Sequence, residues 1–354
     1  MEGTDVLVHI DFETRSTVDL RKTGADVYAA HGTTEPLCLG YAIDEDRPEL
    51  WKLGDAPPVE LMLVIEDGAT VIAHNAPFEL AIWNSICTPR YGWVPLPVEQ
   101  TQCTMAQCYA MGLPGALEKA AAALGMHHQK DMKGSRTMMQ LCQPKDITPS
   151  GDIMWWDDQA KYQILYDYCI QDVEVEREAS KRILALSELE RQVWNLDYTI
   201  NRRGVACDVQ AVEKTIRLVE FEQARLDKEI RKVTGNAVAT CKAVGQLNDW
   251  IKLQGVDLKG VSKSDVLELL DRDLPAKVRS ALLLRQEAAK SSTAKLTSMM
   301  NRASADGRIR GTAQYHGATT GRWAGRGIQT QNFPRPKIKQ KQIEQVFELI
   351  EGMI

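Results

Sequence analysis

The apolar run at residues 6–12 (VLVHIDF) ends in Asp11-Phe12-Glu13, and this coincidence constrains the fold more than any other stretch of the chain. Val, Ile and Phe favour a pleated, half-buried strand. Alternate residues on a strand face the same way, so Asp11 and Glu13 project together. Two carboxylates side by side repel each other unless a cation lies between them. Surface strands also carry such pairs without function, so the D-x-E alone decides nothing.

The surrounding pattern predicts an α/β domain. Residues 37–43 and 50–53 read as the next two strands, with a turn-like 44–48 between them, and residues 71–73 as another. Pro77 opens a helix running to Trp83. Residues 117–124 are Ala-rich and helical, and 159–186 form a long amphipathic helix. Strands interleaved with helices in this order predict a mixed central sheet. Beyond residue 187 the pattern turns helical almost throughout. Val212, Ile216, Val219, Leu226, Ile230 and Val233 mark one long amphipathic helix, and residues 279–300 a second. A division into residues 1–187 and 188–354 follows, in keeping with a 354-residue chain that is long for one core.

Two more acidic signals fall at matching places. Asn75-Ala76-Pro77-Phe78-Glu79 sits at a strand-to-helix junction, where Asn75 can also serve simply as a cap. Tyr168 and Asp172 are i and i+4 on the late helix and share a face. His74 reads as a strand-end structural residue. Eight cysteines are scattered, and the Cys103/Cys108 pair has no second pair to complete a zinc site. A net charge of −5 excludes a uniformly basic coat, but its distribution is uneven. Between Arg279 and Lys341 there are 13 Lys/Arg against two acids, Glu287 and Asp306. Crossing a helix, a Gly-rich loop and a Pro-rich stretch, this bias predicts a phosphate-binding surface.

Asp11, Glu13, Glu79, Tyr168 and Asp172, in this order and on these elements, resemble the DEDD exonuclease superfamily in its tyrosine-bearing branch. The resemblance covers about residues 5–185. It implies a ribonuclease-H-like fold, with two Mg²⁺ or Mn²⁺ ions held by Asp11, Glu13 and Asp172. Glu79 would add an outer or water-mediated contact, and Tyr168 would orient the attacking water. Hard cations suit an all-carboxylate site. A metal pair can both activate water and stabilise the departing 3′-oxygen. The family usually has Asp where this sequence has Glu79.

Residues 320–334, TGRWAGRGIQTQNFP, resemble the T-G-R-L-S-S-x-x-P-N-L-Q-N-I-P segment of family-A DNA polymerases without a gap. Thr320, Gly321, Arg322, Gln331, Asn332 and Pro334 match. Ala324-Gly325 replace the two serines, and Ile328 the first proline, as expected of a bacteriophage-type member. Leu284-Arg285, Lys290 to Thr293, Leu296, Gly245-Gln246-Leu247 and residues 262–270 resemble that family's helical thumb. The resemblance implies phosphate contacts from Lys290 and Lys295, and primer–template contacts from Arg322, Arg326, Gln331 and Asn332. Side-chain amides can meet minor-groove acceptors that all base pairs share, which suits a sequence-tolerant enzyme.

The expectation is therefore a proofreading 3′–5′ exonuclease joined to the start of a family-A polymerase. Its partners would be primer–template DNA, a single-stranded 3′ end held by stacking and phosphate contacts, and a palm and fingers segment supplied elsewhere. The palm carboxylates are not among the residues present, so nucleotidyl transfer is not expected of this chain alone. No apolar run approaches the roughly 20 residues that span a bilayer, and the N-terminus lacks a secretory pattern. The expected location is the cytoplasm of a bacterial host. A stand-alone RNA or DNA exonuclease leaves residues 320–334 unexplained. A degenerate exonuclease fold acting as a DNA-binding scaffold is the alternative that Glu79 raises.

Overall fold

The computed structural model describes residues 6–126, 131–289, 293–333, 335 and 339–352. Two compact units emerge. One comprises Met1–Cys207 with Asn301–Pro334, the other Asp208–Met300 with Arg335–Ile354.

The first unit is built on a five-stranded sheet of β1 (Leu7–Arg15), β2 (Glu35–Ile43), β3 (Glu49–Lys52), β4 (Thr70–Ala73) and β5 (Thr101–Cys103). Their order is β3-β2-β1-β4-β5. β1, β2 and β3 pair antiparallel, whereas β4 runs parallel to β1 and β5 parallel to β4. The mixed sheet expected from the sequence is present. Parallel neighbours need a crossover, which helix Ala76–Ile82 and the π-helical turn Trp83–Cys87 provide between β4 and β5.

β1 explains how carboxylates come to lie inside this unit. Val8, Ile10 and Phe12 alternate into the main core and are at most 4 % exposed. Phe12 stacks on Trp93 at 6.1 Å and meets the edge of Trp83 at 6.2 Å. Rings of this size each remove roughly 150–250 Å² from water, which anchors the strand. Its other face, His9, Asp11 and Glu13, lies under helix Gln159–Ser180, which packs on β1 and β2. Asp158 starts that helix by accepting a hydrogen bond from the Lys161 amide at 3.2 Å. Gly40 lets it settle, since a Cβ there would lie 3.0 Å from Val173 Cγ2 and 3.2 Å from the Cys169 carbonyl. The helix stops at Ser180, six residues short of the expected end.

A helix does begin at residue 188, capped by Ser187 accepting from the Glu190 amide at 3.3 Å. Helix Glu188–Arg203 nevertheless stays with the first unit, because Trp194 is buried in its main core. The chain returns to it after residue 300. Val205–Ala206 pair with Arg308–Ile309, Ala313–Gln314 pair with Ala324–Gly325, and the Tyr315 hydroxyl donates to Glu190 at 2.5 Å. The compact unit therefore runs past 187 and takes in residues 320–334, whereas a division at 187/188 assigns them to the helical part.

The second unit is helical. Val209–Thr234, Val244–Leu253, Lys263–Leu270 and Ala276–Ala289 enclose a core that includes Leu226, Ile230, Leu247, Ile251, Val278 and Leu282. Within the helix expected over 279–300, Ala276–Ala289 and Thr293–Arg302 are helical, and Lys290 lies outside the described residues. Among the described residues no helix is long and apolar enough to cross a membrane.

Candidate metal centre

Asp11 and Glu13 come from β1 and Asp172 from helix Gln159–Ser180, and one carboxylate oxygen of each lies within 4.8 Å of the others. The strand's two-residue period and the helix's path across it create this meeting. Across the β1–β2 pair, Asp11 faces Gly40 and Glu13 faces Cys38, and the register shifts between Glu13 and Thr14. That irregularity falls immediately after the second carboxylate.

The electrostatics are lopsided. Burial lifts the Asp11 carboxyl well above the usual range, and the negative charge of Asp172 lifts it further. Glu13 rises for the same reasons, burial first and Asp11 next. Asp172 is raised to about 6, mainly by burial, with the Tyr168 hydrogen bond pulling the other way and Asp131 adding to the rise. Among the described residues none of these carboxylates is paired with a Lys or Arg. Oxygen-only donors that crowd and repel each other in a partly dry site fit a hard divalent cation, whose charge would offset the repulsion.

Tyr168 joins the group through Asp172, to which its hydroxyl donates. Burial and the surrounding carboxylates push the phenol pKa up, so the hydroxyl remains protonated and able to donate.

Glu79 sits beside the group, close enough to Asp11 and Glu13 for their charges to interact. It is 4 % exposed, and its Oε2 accepts from the Phe12 backbone amide at 3.2 Å. Burial and Asp11 raise its pKa, while that amide lowers it. Asn75 occupies the N-cap of helix Ala76–Ile82 with φ +71° but makes no side-chain capping bond. His74 is held on both ring nitrogens, Nδ1 3.1 Å from Thr104 Oγ1 and Nε2 2.7 Å from the Gly115 carbonyl oxygen. That agrees with a structural role. Cys103 and Cys108 are buried thiols belonging to different apolar clusters.

Several neighbours escaped the sequence reading. His9 Nδ1 lies 2.5 Å from Glu176 Oε2, both nearly inaccessible, beneath the carboxylates. Their positions were discoverable, because His9 precedes Asp11 by two on the strand and Glu176 follows Asp172 by four on the helix. Cys169 Sγ accepts from the Gly40 amide at 3.2 Å and donates to the Asp11 carbonyl at 3.3 Å. Gly134 packs against the Tyr168 ring, with no signal in the sequence to say so.

Of the residues matched downstream, Arg322 is exposed, with its carbonyl accepting from the Ala318 amide at 3.0 Å. Gln331 lies against Gly325, where any Cβ would overlap its amide. Asn332 Nδ2 donates to Gln329 Oε1 at 2.8 Å, and Arg326 Nε to Gln314 Oε1 at 2.6 Å. These four belong to the same unit as the acidic group, while Lys295 belongs to the other. Pro334 and Lys290 lie outside the described residues.

No protein-family model matches the chain. Its sequence is similar to the DNA polymerase of Bacillus phage SP02, at 35% identity over 346 residues, covering 93% of this chain and 51% of that protein. Its fold is similar to the polymerase domain of Pol1 from M. smegmatis, solved in complex with DNA primer–template and dNTP, with a TM-score of 0.56 and 14% identity. That match covers 95% of this chain and 53% of the other, so the chain spans about half the length of each protein it matches. Over nearly all of its own length, the chain is similar in sequence to a phage DNA polymerase and in fold to a polymerase domain.

Proposed function

We propose that the first unit is a metal-dependent 3′–5′ exonuclease of ribonuclease-H-like fold, serving a family-A DNA polymerase in proofreading. The observation that carries this reading is the convergence of Asp11, Glu13 and Asp172 from a central strand and a crossing helix, with Tyr168 hydrogen-bonded at the rim. The strand order β3-β2-β1-β4-β5, antiparallel on one side of β1 and parallel on the other, supports the ribonuclease-H-like assignment.

Asp11, Glu13 and Asp172 would hold two Mg²⁺ or Mn²⁺ ions. Bound there, the ions would supply Lewis acidity for water activation and charge neutralisation at the leaving 3′-oxygen. Asp172 accepts a hydrogen bond from the Tyr168 hydroxyl, fixing where the phenol oxygen stands and leaving its lone pairs able to position a water. Glu79 braces β1 through the Phe12 amide and keeps one oxygen for a water-mediated contact. Arg322, Gln331 and Asn332 would approach the primer–template minor groove, and Lys290 and Lys295 the phosphates. The relationship to the phage polymerase supports that part.

A non-catalytic DNA-binding scaffold is the second reading. It is favoured by Glu79, one of whose carboxylate oxygens is taken up by a backbone amide. Titration with Mn²⁺, followed by electron paramagnetic resonance, separates the two. The nuclease reading expects tight Mn²⁺ binding that is lost in Asp11→Asn. Equal binding by both proteins would sink it.

A further inference from the structure

A second concentration of charge lies in the first unit, around a cavity of about 520 Å³ that none of the acidic-site carboxylates lines. Its walls come from residues 20–27, the start of helix Ala76–Ile82, helix Glu188–Arg203 and residues 302–327. Two of its arginines are already neutralised. Arg202 pairs with Asp26, and Arg310 pairs with Asp306 at 2.5 Å.

Arg302 and Arg326 are different. Among the described residues neither has a salt bridge, although Asp197 is close enough to Arg326 to feel its charge. Arg302 donates to the Arg21 carbonyl at 2.8 Å, and Arg326 to Gln314. The Arg302 side chain is clamped between two glycines. A Cβ at Gly24 would lie 3.0 Å from its Nη1, and one at Gly327 2.9 Å from its Cδ and Nε. Both glycines have positive φ, +82° and +58°, which other residues adopt at a cost. Burial and the neighbouring Arg326 together depress the Arg302 pKa. Two guanidinium groups that line one cavity, Arg302 held and Arg326 exposed, repel each other, and an anion between them would offset that repulsion. Phosphate matches their fork of donors. Phe78, Trp194 and Tyr198 give the same cavity an aromatic wall.

We propose that Arg302 and Arg326 form an anion site for a phosphate ester of mononucleotide size, with the phosphate between the guanidinium groups and the base or sugar against the aromatic wall. The volume falls in the range of small-molecule pockets, roughly 300–1,000 Å³. The same phosphate chemistry could be presented by a free nucleotide or by the backbone of single-stranded DNA. The site requires no metal, so it stands apart from the acidic centre.

Isothermal titration of the full chain in EDTA tests it, using dTMP, thymidine, and tetrathymidylate without terminal phosphate. Binding of dTMP but not thymidine, weakened about 10- to 100-fold by Arg326→Gln, supports a nucleotide site. Binding of tetrathymidylate alone, with the same loss in Arg326→Gln, assigns the phosphate to a DNA strand. Arg302→Lys keeps the charge without the fork and must weaken whichever ligand binds. No binding by any probe, or affinities unchanged in both variants, would overturn the proposal.

Discussion

The Tyr168 ring rests directly on Gly134, so closely that a Cβ at residue 134 would lie 2.5 Å from ring Cδ2 and 2.9 Å from Cγ. Gly134 lies inside helix Met132–Leu141, where alanine would ordinarily be favoured by about 1 kcal/mol. Overlap wins over propensity at such a distance. Gly134→Ala should fail to stabilise the protein in urea unfolding. By displacing the phenol it should also slow 3′ cleavage, by up to about 100-fold for a shift near 1 Å. A stabilised variant with full activity would show that the ring has room to move.

Gly40 sets the height of the crossing helix above the sheet. Gly40→Ala would press on Val173 and Cys169, and overpacking of this kind costs about 1–3 kcal/mol. At Gly32 a Cβ would meet nothing within 4 Å and φ is unexceptional, so Gly32→Ala is the matched control. Chemical denaturation should separate the two variants clearly. Equal midpoints would refute the close approach.

Glu79 can be divided into a hydrogen-bond role and a charge role. Glu79→Gln keeps an oxygen for the Phe12 amide and should fold with near-native stability. Glu79→Ala leaves that buried amide unpaired, at a cost of about 1–3 kcal/mol. If the two substitutions are equally destabilising, the bond to β1 is not what Glu79 contributes.

The carboxylate group also predicts a pH dependence of definite sign. Asp172 is raised from 3.8 to about 6, so across that interval the folded protein holds a proton that the unfolded chain has released. Its contribution to stability is full below about pH 4 and is lost as pH rises towards 6 and beyond. Asp11, Glu13 and Glu79 shift in the same direction. In EDTA, Asp172→Asn should therefore gain thermal stability relative to the parent between about pH 4.5 and 7. Adding Mn²⁺ near neutral pH should raise the melting temperature of the parent and not that of the variant. A difference independent of pH would contradict the burial of this charge.

Much of this was legible in the sequence for identifiable reasons. Val8, Ile10 and Phe12 announce a buried strand by period and composition, and Asp11 and Glu13 then have to share its other face. Strand β5, reading Thr-Gln-Cys, carries no such sign. It is three residues long and polar at its centre, and is defined by pairing with β4. The return of residues 301–334 to the first unit was equally hidden, because it depends on long-range bonds such as Trp323 to Asp197 at 2.6 Å. Local periodicity carries no trace of a partner more than a hundred residues away. The same limit concealed Gly134, whose importance lies wholly in what touches it.

The most direct test is digestion of a 5′-labelled primer–template with a mismatched 3′ end by the purified chain, with Mg²⁺ or Mn²⁺, beside Asp11→Ala. Stepwise shortening from the 3′ end that disappears in Asp11→Ala is the expected result. No shortening while the labelled DNA remains bound, or shortening that survives in Asp11→Ala, would contradict a nuclease built on Asp11, Glu13 and Asp172.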